Sequence, residues 1–270
     1  MIIEKIKDVK ERERLLIVRE GFPRDPAGGD PDLYCFPHDD MAYLPMDRVV
    51  EVNENIYPAD GSVMPSDALA YFIEKASHRC IMNFCICREA MECKDYPIEY
   101  GCLFLGDAAS RIHPELGRQV GVEEALEYAR KCRDAGLIHL IGRDKLDILW
   151  LEIEPEEKLL TVCNCCPCCC LHRVAQHMPG ESGKKVKCMP GVSIRVTDDC
   201  VACGTCVEEA VCIFNAIALG EDRAVINDPE CRACGRCADI CPESAIKITI
   251  DDAAYVDKTI KRFLEIVDIG

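Results

Sequence analysis

The stretch 200–241, CVACGTCVEEAVCIFNAIALGEDRAVINDPECRACGRCADIC, holds eight cysteines in two triplets, each followed by a fourth. Spacing of Cys-x-x-Cys-x-x-Cys lets one tight loop turn three thiolates inward on one small inorganic core, and a 4Fe-4S cubane needs four. The fourth ligand of each set comes from elsewhere in the chain. The two halves align beyond the triplets, CIFNAIAL from Cys212 against CPESAIKI from Cys241, as an internal duplication would leave them. Five residues separate Cys206 from Cys212 where three separate Cys237 from Cys241, and Cys212 is followed by Ile213 rather than Pro. Zinc is the competing reading, because Cys-x-x-Cys pairs also build tetrahedral zinc sites. Triplets argue against it, since a zinc site drawn from two pairs leaves the third thiol idle.

This segment resembles a bacterial-type ferredoxin with two 4Fe-4S clusters. Carried over by position, the resemblance implies one cluster on Cys200, Cys203, Cys206 and Cys241, and the other on Cys231, Cys234, Cys237 and Cys212. In such ferredoxins the last cysteine of each run crosses to the other cluster. The two-residue insertion makes Cys212 the ligand that departs most from the pattern.

The chain has 270 residues, 22 cysteines and a formal charge of −16. That length accommodates a larger domain with a small ferredoxin attached. Its N-terminus, MIIEKIKDVKERER, has no apolar h-region, so the thiols are read as those of a reducing cytoplasm rather than as disulfides. No uninterrupted apolar run approaches the length of a membrane span, which speaks against direct membrane insertion. The acidic balance opposes binding to nucleic acid and favours a redox protein or enzyme partner with a basic docking surface. Homo-oligomerisation is left open.

The first twenty residues carry an irregular apolar pattern (Ile2, Ile6, Val9, Leu16) read as a peripheral helix. GFPRDPAGGDPD at 21–32 reads as a loop, and Cys35 and His38 after it as packing and surface residues rather than ligands. From Pro65, with Ser66 as N-cap, Leu69, Phe72, Ile73 and Ala76 form a helical stripe. A second helix is expected over 122–135, with Glu123 and Glu124 early, Lys131 and Arg133 late and Gly136 as its stop. GLIHLI and ILWLEI read as a short hairpin, giving helix, helix and hairpin in the order of a winged helix. The stretch lacks the basic clustering of a nucleic-acid reader and is taken as scaffold. SIRVT, AIALG, AVIND and AIKITID read as ferredoxin strands. A terminal amphipathic helix places Val256, Ile260, Phe263, Leu264 and Val267 on one face, to dock across the ferredoxin or onto the N-terminal part.

A second concentration of thiols is CNCCPCCC at 163–170: Cys163, Cys165, Cys166, Cys168, Cys169 and Cys170. Packing alone scatters cysteines and does not require that density. Upstream stand Cys85 and Cys87 in CICR, then Cys93 and Cys102, with Cys80 as an eleventh thiol. Neighbours in an extended segment point oppositely, so adjacent thiols should serve different irons or different clusters. This combination, with the helix ending DAGLIH, resembles a family of iron-sulfur proteins of strict anaerobes known only as ferredoxin-like. The resemblance covers about 49–170; it implies further cluster ligands and no particular reaction. One or two additional iron-sulfur clusters, zinc, and redox-active or persulfide-carrying thiols all remain as readings. Arg88 is either a donor to cluster sulfurs or a solvated surface residue. His113, His139, His172 and His177 could each be a ligand or proton donor, and for each the reading preferred is neither.

Phosphate-loop, dinucleotide and hydrolase motifs are absent from the sequence. The fold class expected is α+β: an extension over 1–48, a cysteine-rich, mainly helical domain over 49–171, a linker over 172–192, a double 4Fe-4S ferredoxin domain over 193–251, and a helix over 252–270. The function expected is an oxygen-sensitive, multi-cluster electron carrier of anaerobic metabolism rather than an enzyme. Two alternatives stand beside it: a redox enzyme with a substrate-accessible or non-cubane N-terminal cluster, and an iron-sulfur scaffold or metal-handling protein.

Overall fold

The computed structural model describes residues 2–20, 40–47, 50–52, 64–173, 186–208 and 211–270. Cys35, His38, His177 and the loop at 21–32 lie outside them. The chain is α+β, and its centre is a seven-stranded sheet that the mainly helical reading of 49–171 did not include. Its strands are β1 (Met41–Tyr43), β3 (Arg79–Met82), β4 (Leu103–Leu105), β5 (Gly117–Gln119), β6 (Ile138–Gly142), β7 (Leu160–Cys165) and β8 (Val186–Lys187), in the order β5-β3-β4-β7-β6-β1-β8. All neighbours are antiparallel except the β1/β8 pair. Several of these strands are only three residues long, too short to leave a legible alternation in the sequence.

Alternation of side chains decides what each face meets. Ile81, Leu103 and Leu105 point to one face, where Leu69, Phe72 and Ile73 of α2 (Pro65–Lys75) pack with Ala125 and Ala129 of α4 (Val122–Asp134). Cys80, Met82 and Phe104 point to the other, which receives Ile3, Ile6 and Leu15, the last from α1 (Val9–Glu20). The helix stripes expected at 65–76 and 122–135 are therefore the sheet-facing stripes.

Three local readings need correction. ILWLEI is not a strand but the end of helix α5 (Lys145–Leu151): Asp144 caps it by accepting the Leu146 N–H at 3.0 Å, and β6 pairs instead with β7 and β1. No winged-helix hairpin forms there. The N-cap of α2 is Met64, with Pro65 as first helical residue, while Asp67 accepts the Met64 N–H at 2.5 Å. Replacing Asp67 by Ala should cost about 1 kcal/mol, read as a lower denaturant midpoint. In α8 (Tyr255–Leu264), Val256 and Phe263 are buried but Leu264 is 42% exposed, because the buried arc continues through Thr259 rather than through Leu264. That helix docks on α2, Phe263 meeting Phe72 edge-on at 6.2 Å, and Arg262 pairs with Asp40.

The stretch from 192 onward folds into two hairpin-like halves. Strand β9 (Val192–Val196) pairs antiparallel with β12 (Ile246–Ile250), and β10 (Ile217–Leu219) with β11 (Ala224–Ile226). Strand β2 (Val50–Val52) adds in parallel to the free side of β12. The duplication read in the sequence recurs in the backbone: Ala202 and Ala233 have φ of 53° and 48°, Gly204 and Gly235 of 85° and 84°, Asn215 and Ser244 of 50° each. A cysteine loop turned inward needs such left-handed residues, which Gly adopts freely and Ala at a cost. Among the described residues no helix is long and apolar enough to cross a membrane.

Candidate metal centre

Each triplet loop runs into one turn of helix, α6 (Thr205–Glu208) and α7 (Arg236–Asp239), so the third cysteine of each rides on a fixed element. The thiol of Cys206 is raised by burial and by the neighbouring thiolates of Cys241, Cys200 and Cys203. That of Cys237 is raised by burial and by Cys234, Cys231, Cys212 and Cys206. Like charges held this close in a partly dry site oppose one another unless a cationic centre stands among them. Backbone amides also point at the sulfurs: Ala216 N–H donates to Cys212 Sγ and Ala245 N–H to Cys241 Sγ, both at 3.3 Å. An empty volume of about 350 Å³, walled by Cys212, Cys231, Cys234 and Cys237 with Ile194, Phe214 and Ile226, lies inside the second group. Four thiols around an apolar cavity, with amide donors to their sulfurs, fit a thiolate-bound cluster. Cys188 stands beside Cys231. The first group is the more open, Cys203 being exposed and Val201 63% exposed.

The N-terminal thiols form two groups. On β7 the period of two sends Cys163 and Cys165 to one face, Cys85 caps the short helix α3 (Ile86–Ala90) that carries Cys87, and Cys102 precedes β4. With Cys166 and Cys170 they wall an empty volume of about 440 Å³. Cys102 Sγ is 3.9 Å from Cys163 Sγ. Cys85 is lowered to about 7 by the Cys87 thiol and, against burial, by Arg88. The thiols of Cys163 and Cys170 hold Cys165 well below the ordinary thiol range despite its burial.

Arg88 is fully buried, which removes the solvated reading. It donates to the carbonyls of Asn164 at 2.8 Å and of Tyr100, and the thiols of Cys85, Cys166 and Cys87 keep it charged although burial opposes this. Asp147, on the same wall, is raised well above the carboxylate range by burial and by Asp144, and it accepts the Thr161 hydroxyl at 2.8 Å.

The other group is Cys93, Cys166, Cys168 and Cys169, whose four sulfurs all lie within 4.8 Å of one another. Cys93 and Cys168 are 3.7 Å apart and Cys168 and Cys169 are 3.5 Å apart. All ten N-terminal cysteines singled out in the sequence thus fall into one of two adjoining groups, with Cys166 between them. Cys80 does not join: it is buried against Gly117, where burial raises its thiol to about 11.

His172, named in the sequence as a possible ligand or proton donor and then set aside, lies beside these thiols. Its ring nitrogen stands within 4.8 Å of the Cys165 and Cys170 sulfurs and 3.9 Å from Asp144. Only its position two residues past Cys170 hinted at this. His139 is buried, bonded through Nδ1 to Asn164 at 2.8 Å, and burial lowers it to about 4, while His113 sits near the surface against Asp8. Tyr43 was missed: it is buried among Cys165, Cys170 and Cys234, edge-on to Phe214 at 5.8 Å, and its hydroxyl has no hydrogen-bond partner among the described residues.

Comparison with known proteins gives partial matches to iron-sulfur proteins. The chain matches no protein-family profile and no solved structure. It is 46% identical over 50 residues, 18% of this chain, to one subunit of the Na(+)-translocating ferredoxin:NAD(+) oxidoreductase complex of Acetobacterium woodii. It is likewise 46% identical over 61 residues, 22% of this chain, to Ferredoxin-1 of Caulobacter vibrioides. The matches span 14% and 52% of those proteins' own lengths. Together with the cysteine groups they support an iron-sulfur, ferredoxin-like protein with a role in electron transfer.

Proposed function

We propose that this chain is a multi-cluster iron-sulfur electron carrier, a redox subunit of anaerobic metabolism whose ferredoxin-type module over 193–251 holds two 4Fe-4S clusters and whose N-terminal chamber holds a further one. Such clusters, when bound, supply reversible one-electron transfer. The observation that carries the reading is the contiguity of the thiol groups. Cys163, Cys165 and Cys170 of the chamber pack in one apolar cluster with Cys212, Cys231 and Cys234, with Tyr43 and Phe214 between them. Arg236, beside Cys234 and Cys237, donates to the Cys165 carbonyl and ties the two regions together. The open side of the series is Cys203, so a partner is expected to dock there. The acidic chain would favour a basic partner surface, and the likeness to one component of an oxidoreductase complex is in keeping with such a partner.

Residues of this chain have definable roles in the scheme. Cysteine side chains hold the irons, backbone amides at Ala216 and Ala245 offset thiolate charge, and Arg88 sets the charge of the chamber wall. Anaerobically purified protein is expected to be brown and to contain iron and acid-labile sulfide each above the roughly eight that two cubanes hold. Eight or fewer in fully loaded protein would eliminate the chamber cluster.

A second reading, a redox enzyme, is favoured by the same chamber's other donors. His172 and a carboxyl group at Asp147 held protonated by burial stand beside the thiols, so an iron there could keep an open position next to a proton source. Changes in the spectrum of the chamber cluster on adding cyanide or small thiols would favour the enzyme, and unresponsive clusters the carrier.

A further inference from the structure

We propose that Cys93, Cys166, Cys168 and Cys169 bind a single tetrahedral metal ion, zinc or iron, separate from any cluster held in the adjoining chamber. The inference does not depend on the electron-transfer reading. Its ground is the spacing of the sulfurs. In a cubane each thiolate binds a different iron and points outward from a corner, so the inorganic core stands between the four. Four thiolates around one ion converge instead: tetrahedral geometry at a metal–sulfur distance of about 2.3 Å puts sulfurs about 3.8 Å apart. The separations of 3.7 Å between Cys93 and Cys168 and 3.5 Å between Cys168 and Cys169 match that scale, and the whole set lies within 4.8 Å; the expectation that adjacent thiols diverge fails for Cys168 and Cys169 because 167–169 form a turn rather than an extended segment. In the chamber no four sulfurs among the described residues form such a set: Cys102 and Cys163 are 3.9 Å apart, and the convergent group there is Cys165, Cys170 and His172.

The backbone supports the same assignment. Cys169 N–H donates to Cys166 Sγ at 3.4 Å across the turn at Pro167. The turn at 166–169 thus supplies three of the four sulfurs, with an amide on one of them, and the loop after α3 supplies the fourth, Cys93. Close packing of neutral thiols does not require four sulfurs to meet at one point. An ion here would bind the loop after α3 to the segment after β7, which are two walls of the chamber, and so fix the chamber's shape without taking part in electron transfer.

The test counts metal against sulfide in the full-length protein purified without oxygen. A cubane contributes as many sulfides as irons, so wild-type protein is expected to hold one metal ion per chain beyond its sulfide content. Cys93→Ser and Cys169→Ser should each lose that ion and keep their sulfide. X-ray absorption at the zinc or iron edge distinguishes the two metals; for zinc it should give four sulfur neighbours at about 2.3 Å. Loss of several irons together with sulfide in these variants would make the four cysteines cluster ligands and overturn the proposal. So would wild-type protein with no surplus ion, or a Cys168–Cys169 disulfide found by thiol counting; these wild-type measurements stand even if a variant fails to fold. The electron-transfer reading fails separately, if the sulfide-matched clusters accept no electrons.

Discussion

Cys212→Ala is expected to lose about four irons and about four sulfides while the cluster assigned to Cys200, Cys203, Cys206 and Cys241 stays in place. The insertion before Cys212 is the reason to doubt this, and the backbone is the reason to expect it. The Ala216 amide reaches Cys212 Sγ at the same 3.3 Å as the Ala245 amide reaches Cys241 Sγ. Asn215 and Ser244, three residues past each cysteine, share a φ of 50°. The backbone after Cys212 thus repeats that after Cys241 although two more residues precede it. The reduced variant should give the electron paramagnetic resonance spectrum of one ferredoxin-type cluster in place of two interacting ones. Unchanged iron content and spectra would move ligation elsewhere. Cys188, beside Cys231, is the available substitute, and Cys212→Ala combined with Cys188→Ala would then lose the cluster.

The ferredoxin-like half was legible because its information is local. Loops of Cys-x-x-Cys-x-x-Cys, the alternating AIALG and AVIND, and the repeated CIFNAIAL and CPESAIKI lie within a few residues of the contacts they make. Helices α2 and α4 were legible for the same reason, their stripes running over three turns. The central sheet was not. Its strands β1, β4 and β5 span three residues each and pair across long intervals of chain, so no periodicity accumulates. ILWLEI has the β-rich composition of a strand, and only Asp144 as N-cap, a signal outside the apolar run, tells it from the helix it forms.

The site divided in the same way. Ten N-terminal cysteines stood out by density, and their convergence follows from the pairing of β4 with β7 and β7 with β6, which brings Cys102 to Cys163. Their division into a point group and a chamber depends on the turn at Pro167 and on where α3 ends, neither of which has a signature in spacing. His172 was weighed and set aside because a lone histidine near cysteines is commonplace, and Tyr43 was out of reach because 120 residues of chain separate it from Cys163. Both enter through tertiary packing alone.

Arg88→Met should lower the protein's stability by about 3–5 kcal/mol, the range for removing one partner from a buried ionic arrangement. Methionine fills much of the same volume, so the loss measured is chiefly electrostatic and hydrogen-bonding. Two carbonyls, those of Asn164 and Tyr100, lose their guanidinium donor at a fully buried position. The thiols of Cys85, Cys166 and Cys87 lose a cation that faces all three. Arg88→Lys keeps the charge but cannot span both carbonyls, and its stability should fall between wild type and Arg88→Met. Anaerobic denaturant unfolding at matched metal content checks the order, and equal midpoints for all three proteins would dismiss Arg88 as a structural tie. A second readout separates charge from packing: with a cluster in the chamber, loss of a nearby cation and its donors should lower that cluster's midpoint potential and leave those of the ferredoxin-type clusters unmoved. Arg88→Lys should retain most of the wild-type potential, because the field at the thiolates depends on the charge more than on the fork that carries it.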